Sequence, residues 1–382
     1  MNDVYITLTA TALPNEPIGN NEIESVLGLI NNKKSRSKKI VLRNNGIKTR
    51  YYVIDPKTKE ITINNAQLTA LAIQNLFTDP TEIKQVDLIS AGTTLPDQIA
   101  PSHAVMVHGE LANTGYCETV SPSGICLSGF LALKYAYLAI KCDDRQKAVA
   151  TGSEVLSVIL KSERFAIESN LAVQEIKNHP TLAFDKDFLR WMLSDGAGAF
   201  CLEKKPRVGQ LNLKIHWIKS YSFANELETC MYLGAKKQAD GSLLGWNYLV
   251  DPMLSEKYIF NLKQDVKLLN KNIVKYCIGK TLPLLVKETG LTAESIDYFL
   301  PHISSMYFYH RVAQQMDEIN FHIPQEKWFT NLTSKGNTGA ASLFIMVDEL
   351  VKSKKLTGGE KLLCFVPESG RFSSGFMLLE VV

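Results

Sequence analysis

The chain has 382 residues, 45% of them hydrophobic and 21% charged, with a formal net charge of +3. This is an ordinary globular composition, long enough for two domains or one duplicated one, and it excludes a large disordered region. It also excludes the dominant basic face of a nucleic-acid binder, and no apolar run reaches the length of a membrane span because Lys134 interrupts the best candidate.

Residues 4–8 alternate and predict a strand, ended by Pro14. A short helix is expected over 21–29. A basic run follows, Lys33, Lys34, Arg36, Lys38 and Lys39, which reads either as a solvated loop or as a docking patch for an acidic or phosphate-bearing partner. Asn65 can cap an amphipathic helix through Phe77, with Leu68, Leu71, Ala72 and Leu76 on its buried side. Residues 86–90 predict a compact strand, and 103–111 are helix-like. Small residues and Pro122 precede Cys126, after which Phe130, Leu133, Tyr137 and Ile140 recur at helical spacing. A small-residue strand over 148–152, another helix after Ser153, and a strand from Asp195 to Leu202 complete the first series.

A second series begins after Pro206. It predicts a strand over 211–217 and a long helical pattern over 263–288, kinked or broken at Pro283. A buried strand over 296–300 ends at Pro301 and His302, and a helix follows to about Met316. The turn 336–339 leads into a helix over 340–351, and strands over 362–366 and 376–381 close the chain. The two series echo each other: Ser123 to Cys126 and Ser334 to Asn337 are both small-residue turns ahead of an apolar helix. The alternation points to an α/β class.

The seven cysteines (Cys117, Cys126, Cys142, Cys201, Cys230, Cys277 and Cys364) contain no CxxC pair, which argues against a zinc site and a disulfide framework. The N-terminus lacks a basic segment and a cleavable apolar core, so a signal peptide is not expected and a reducing, cytoplasmic location is.

Three residues can form one site. Cys126 lies at or beside a helix N-terminus, where unpaired amides and the helix dipole favour a thiolate. A thiolate is the nucleophile of thioester chemistry. His302 directly follows a strand, so its backbone is fixed. Asn337 lies between Gly336 and Gly339, which permit a tight turn aiming the amide inward. An imidazole and a carboxamide can both donate hydrogen bonds to a thioester oxygen. Taken singly, each has a plainer explanation: a small core residue, a satisfied histidine, a turn former.

Other segments extend the set: Asn45 to Arg50, Pro101-Ser102, Thr151 to Glu154, Asp195 to Ala199, and the glycine-rich turn Ser369 to Gly375. With Pro301-His302 and Gly336-Asn337, they make the chain resemble, nearly end to end, a ketosynthase of the β-ketoacyl-acyl carrier protein synthase III group in the thiolase superfamily. The resemblance implies an α/β thiolase-like fold of two pseudo-symmetric halves, 1–205 with the cysteine and 206–382 with the histidine and asparagine, in a layered α-β-α-β-α core. It implies that Cys126 accepts the acyl group and that His302 and Asn337 stabilise an enolate. The amides of Cys126 and Gly370 would form the oxyanion hole. It further implies ping-pong kinetics, acyl carrier protein or coenzyme A thioesters as partners, a homodimer, and no cofactor or metal. In the family, the loop at 95–100 reaches into the neighbouring subunit's acyl pocket. Ala100 stands where some relatives place a glutamate base, and nearby Asp97 reads as a solvated turn residue.

Several residues depart from the family's initiating enzymes. Ile303, Ser304 and Ser305 follow the histidine. Leu127 and Ser128 separate the cysteine from Gly129. No tryptophan occurs within 30–45. Ser369 and Arg371 replace usual glycines. These departures favour longer or carrier-bound acyl donors over a simple acetyl primer. The block Ser121 to Phe130, with Ala132 to Tyr137 behind it, is most similar to the ketosynthases of dialkylresorcinol biosynthesis. That similarity implies joining a β-ketoacyl to an α,β-unsaturated acyl thioester, with ring closure to a cyclohexanedione. The alternatives are a fatty-acid initiating synthase using malonyl carrier protein and a non-catalytic ketosynthase-like subunit.

Overall fold

Nine strands pair into one mixed sheet in the computed structural model, which describes residues 2–35, 37–164, 188–251 and 259–382. Numbering only these strands, they are β1 (Tyr5–Ala12), β2 (Leu88–Thr93), β3 (Glu118–Val120), β4 (Lys147–Glu154), β5 (Gly196–Glu203), β6 (Leu213–Ser222), β7 (Tyr298–Pro301), β8 (Lys361–Glu368) and β9 (Ser373–Val381). Their spatial order is β7-β8-β9-β6-β1-β5-β4-β2-β3. In the first series β1 pairs antiparallel with β5, β5 antiparallel with β4, and β4 parallel with β2. In the second, β6 pairs antiparallel with β9, β9 antiparallel with β8, and β8 parallel with β7. The pairing pattern therefore repeats, with β1, β5, β4 and β2 matched by β6, β9, β8 and β7. A short antiparallel contact, Tyr5 with Lys214 and Ile6 with Leu213, joins the two sets. We propose the division between the halves at 205/206, in the connection from β5 to β6.

Strands buried on both faces must be apolar on both. In β8, Leu363 and Phe365 enter one core, while Leu362, Cys364 and Val366 enter another, as the period of two requires. Outer helices α1 (Asn65–Gln74) and α2 (His103–Gly109) cover the first set of strands. Central helices α3 (Ser128–Lys141) and α7 (Ser342–Lys352) lie between the two sets. Helices α4 (Val266–Val274), α5 (Thr281–Thr289) and α6 (Tyr309–Glu318) cover the second set. The expected α-β-α-β-α layering is thus present. The starts of α3 and α7 touch because Gly129 and Gly152 carry no side chain. A Cβ on Gly152 would come within 2.1 Å of the Ala340 carbonyl oxygen, and one on Gly129 within 2.4 Å.

Some expectations change. The cap of α1 is Asn64, in a capping box with Gln67, rather than Asn65. Asn65 instead donates its amide to Thr93 Oγ1 and the Leu95 carbonyl. Leu71 is 40% exposed rather than buried. The helical pattern over 263–288 is not continuous: Lys263–Gln264 is a strand paired with Met231–Tyr232, and a π segment, Lys275–Lys280, joins α4 to α5. Pro283 sits within α5 and offers no amide to the preceding turn, so the winding loosens ahead of it. After Ser153 there is a 3₁₀ turn, Ser157–Leu160; most of the remaining stretch expected to be helical lies outside the described residues, as does Arg36.

Candidate active site

Cys126 precedes α3 by two residues, in a turn held from the opposite half. Glu368, the last residue of β8, accepts hydrogen bonds through Oε2 from the Ile125 amide at 2.9 Å and the Leu127 amide at 3.1 Å. The Ser128 hydroxyl donates back to the Ile125 carbonyl at 2.8 Å. Cys126 is thus bracketed by two amides that share one carboxylate oxygen.

Those contacts overturn the expected thiolate. Burial pushes the Cys126 thiol well above its ordinary range, and the carboxylates of Glu154 and Glu368 push it further. Two amides near the helix start are already committed to a negative charge, which opposes a second one. At neutral pH the resting site holds a thiol.

His302 follows β7, and its amide donates to the Phe365 carbonyl at 2.8 Å. It is 3% exposed, and its ring has no hydrogen bond among the described residues. Burial pushes the imidazole down to about 4, so it is neutral at pH 7 and free to take a proton.

Asn337 is fixed from both sides of its peptide unit. Its amide donates to the Met192 carbonyl at 3.0 Å, and its carbonyl accepts from the Ser194 amide at 2.9 Å. Its side-chain Oδ1 accepts from the Gly339 amide at 3.0 Å, which leaves the side-chain NH₂ as the free end. Gly339 has φ 49° and lies against Glu154; a Cβ there would sit 2.6 Å from Glu154 Oε1.

The three expected residues line one recess. Its apolar wall comes from Leu189, Met192, Met231, Leu269 and Ile273; Gln264, Ser304 and Ser369 add polar groups. A second apolar recess adjoins it past His302 and Ser304, between α4 with the π segment and the start of α6, and includes Ile278, Phe308 and Val312. Gly370 lies beside the recess rather than on its wall. Its carbonyl accepts from the Cys230 and Met231 amides, and a Cβ on it would be 3.2 Å from Ile125 Cδ1.

Sequence reasoning missed four residues here. Gln264 fell inside an expected helix. Ser304 and Ser369 were noted only as departures from a family pattern. Glu368 went unremarked, although a glutamate closing an apolar strand just before a glycine turn is a usable signal. Asp97 is exposed in a bend, as expected, and its carboxylate also accepts from the Asn65 amide at 3.0 Å and the Ala66 amide at 2.9 Å, capping α1. In the basic run, Lys38 pairs with Glu24 at 2.8 Å and lies over the Trp191 ring, while Lys33, Lys34 and Lys39 are exposed. No group of three or more metal-ligating side chains occurs among the described residues.

The two sets of strands form a layered α/β architecture in which Cys126, His302 and Asn337 line one recess. Residues 286–379, which include His302, Asn337 and Gly370, match the family model described as 3-oxoacyl-[acyl-carrier-protein (ACP)] synthase III C terminal. Over 378 residues the chain is 24% identical to the β-ketoacyl-[acyl-carrier-protein] synthase III of Xanthomonas campestris pv. campestris (strain 8004), covering 97% of this chain and 96% of the relative. The 3-oxoacyl-(acyl carrier protein) synthase III of Pseudomonas aeruginosa PAO1 superimposes with a TM-score of 0.72 at 17% identity, over 100% of this chain and 99% of that one. The tetronic acid condensing enzyme AbyA1 does so with a TM-score of 0.71 at 17% identity, over 99% of both chains. The chain is therefore β-ketoacyl-acyl carrier protein synthase III-like along its length.

Proposed function

We propose that this chain is a condensing acyltransferase that forms a carbon-carbon bond between two acyl thioesters through an acyl group on Cys126. Its substrates are a β-ketoacyl and an α,β-unsaturated acyl thioester, and its product is a cyclohexanedione precursor of dialkylresorcinols. The observation that carries the first statement is the single recess lined by Cys126, His302 and Asn337. The choice of substrates rests on the resemblance of the cysteine segment.

In the first half-reaction a neutral thiol must lose its proton as it attacks. The neutral His302 imidazole is the base for that transfer. Negative charge develops on the thioester oxygen, where the amides of Cys126 and Gly370 stabilise it, and the carrier thiol departs. In the second half-reaction another thioester enters. The neutral His302 ring takes its α-proton, and the Asn337 NH₂ and the protonated His302 ring stabilise its enolate oxygen while the α-carbon attacks. That α-carbon adds to the β-carbon of the unsaturated acyl group in a Michael addition, and a Claisen closure onto the unsaturated acyl group's own thioester carbonyl expels its thiol and gives the ring. Covalent storage of the first acyl group predicts ping-pong kinetics.

The thioesters arrive on an acyl carrier protein or coenzyme A. Lys33, Lys34 and Lys39 offer charge to an acidic carrier, and the helix beside them ends at Gly46, which lies against Met306 near the recess wall. The active form is a homodimer in which the loop at 95–100, where Ile99 is 70% exposed, meets the second copy. The cytoplasm, a reducing compartment, suits the free reactive cysteine.

A second reading is favoured by the whole-length similarity to the Xanthomonas synthase: decarboxylative condensation of an acyl primer with malonyl carrier protein. Incubation with a 3-oxoacyl and a 2-enoyl thioester separates the two. A cyclohexanedione is the expected product. Carbon dioxide release and a 3-oxoacyl carrier protein from malonyl carrier protein, without the dione, support the second reading. An inert protein in both assays supports a non-catalytic subunit.

A further inference from the structure

Gln264 has no part in the chemistry above, yet it lines the recess with Cys126. Its side-chain NH₂ donates to Ser369 Oγ at 3.2 Å, and the Ser369 hydroxyl lies 3.7 Å from Met231 Sδ. The other end of the carboxamide, Oε1, is buried and has no hydrogen-bond partner among the described residues. Buried acceptors are normally paired, so an unpaired one on a residue that lines a substrate recess is an observation about the ligand.

The backbone around Gln264 is fixed. Gln264 lies opposite Met231 in a short antiparallel pair. The next residue, Asp265, donates its amide to the Cys230 carbonyl at 2.8 Å, and its side chain caps α4 by accepting from the Leu268 amide at 2.9 Å. The amide is therefore presented from a defined backbone and oriented by Ser369. The neighbouring wall of Leu189, Met192, Met231, Leu269 and Ile273 offers Oε1 nothing. A plain alkyl chain filling the recess leaves it unpaired. Ser304, the other polar side chain without a role, carries a hydroxyl that can donate or accept and so selects nothing by itself.

We infer that Gln264, oriented by Ser369, is a specificity residue whose Oε1 accepts a hydrogen bond from an O–H on the acyl group seated at Cys126. The ligand chemistry is a hydroxyl close to the thioester, supplied either by a β-hydroxyacyl group or by the enol form of a β-ketoacyl group. The inference deepens the proposed function and rests on acylation of Cys126.

The experiment compares N-acetylcysteamine thioesters of octanoate, 3-hydroxyoctanoate and 3-oxooctanoate. The rate of Cys126 acylation is read by intact-protein mass spectrometry in single turnover. The wild type is expected to favour one or both oxygenated chains by about tenfold over octanoate. Gln264→Leu should bring the ratio close to one, and Ser369→Ala should lower it in part. A general loss of folding lowers all three rates together and leaves the ratio intact, so the ratio reports the contact. Preference for the 3-hydroxy chain alone identifies the hydroxyl source, and preference for the 3-oxo chain alone identifies the enol; both support the inference. Equal rates in the wild type, or a preference that survives Gln264→Leu, overturn it while leaving the acyl-enzyme in place. Absence of acylation by all three thioesters overturns the acyl-enzyme reading, and this inference with it.

Discussion

Glu154 ends β4 and Glu368 ends β8, two strands that hold equivalent places in the repeated pairing pattern. Each reaches into the opposite half. Glu368 holds the amides of Ile125 and Leu127 around Cys126, and Glu154 Oε1 holds the Ala340 amide at 3.0 Å, just past Asn337. The resemblance ends in how much else each turn has. The Asn337 turn is also fixed by two backbone hydrogen bonds to Met192 and Ser194. The cysteine turn has one carboxylate from the opposite half and, within itself, the Ser128 hydroxyl and amide on the Ile125 carbonyl. Cys126 is thus held by a charge that also opposes its ionisation, whereas Asn337 is held largely by neutral backbone.

The deepest break in this comparison removes the sulfur of Cys126. Cys126→Ala should abolish acyl-enzyme formation and lower condensation on the order of 10⁴-fold or more, measured by product formation under steady state. On the other side, Asn337→Ala should slow condensation by about 10²- to 10³-fold while leaving Cys126 acylation nearly intact, which single-turnover acylation measures separately. A parallel loss in acylation would mean that the two turns do not divide the work.

A smaller effect separates the two functions of Glu368. Glu368→Ala leaves two amides without an acceptor and should cost about 1–3 kcal/mol in denaturant unfolding. Glu368→Gln keeps an acceptor but loses the charge. It should leave stability closer to wild type and make Cys126 react faster with iodoacetamide near pH 8, because a negative neighbour of the thiol is gone. Equal alkylation rates in the two proteins would deny the electrostatic role.

How legible this was in the sequence differs by residue. Cys126, His302 and Asn337 could be read because each sits at an element boundary, beside glycine or proline, where local spacing shows the turn. The α/β class followed from alternating periodicities, and the layering from the resemblance of the motif segments. Long-range partners were not readable. Cys126 looked poised as a thiolate because the helix start is local, while the two carboxylates that oppose it arrive from β4 and β8. The cap that exposed Asp97 makes on α1 was hidden because it is made across a loop. Gln264 looked helical because a two-residue strand leaves no periodic trace, and its partner Met231 lies far away in the chain. The strand-end glutamates did leave a trace: both apolar strands close on Glu, and the two-fold echo could have paired them.

The mildest predictions concern pH. Burial pushes Glu154 up to about 8 from 4.5. Between those values the folded chain holds a proton that the unfolded chain has released. Its contribution to stability is therefore fully present below about pH 4.5 and lost as pH rises through about 8. Glu154→Gln, a mimic of the protonated form, should flatten that part of the stability–pH curve in urea titrations; an unchanged slope would place the proton elsewhere. His302 adds a kinetic counterpart. Since burial holds it near 4, the acid limb of the acylation rate should fall near pH 4 and not between 6 and 7.

Peptide mapping by mass spectrometry after exposure to an acyl thioester tests most directly whether one thioester site is built from both halves. One acyl group per chain should appear on Cys126, with exposed Cys142 unmodified. It should leave as condensed product when the second thioester is added to the wild type, and persist in Asn337→Ala. Acylation at Cys142 in place of Cys126, or equal turnover of the adduct in the two proteins, would contradict the account.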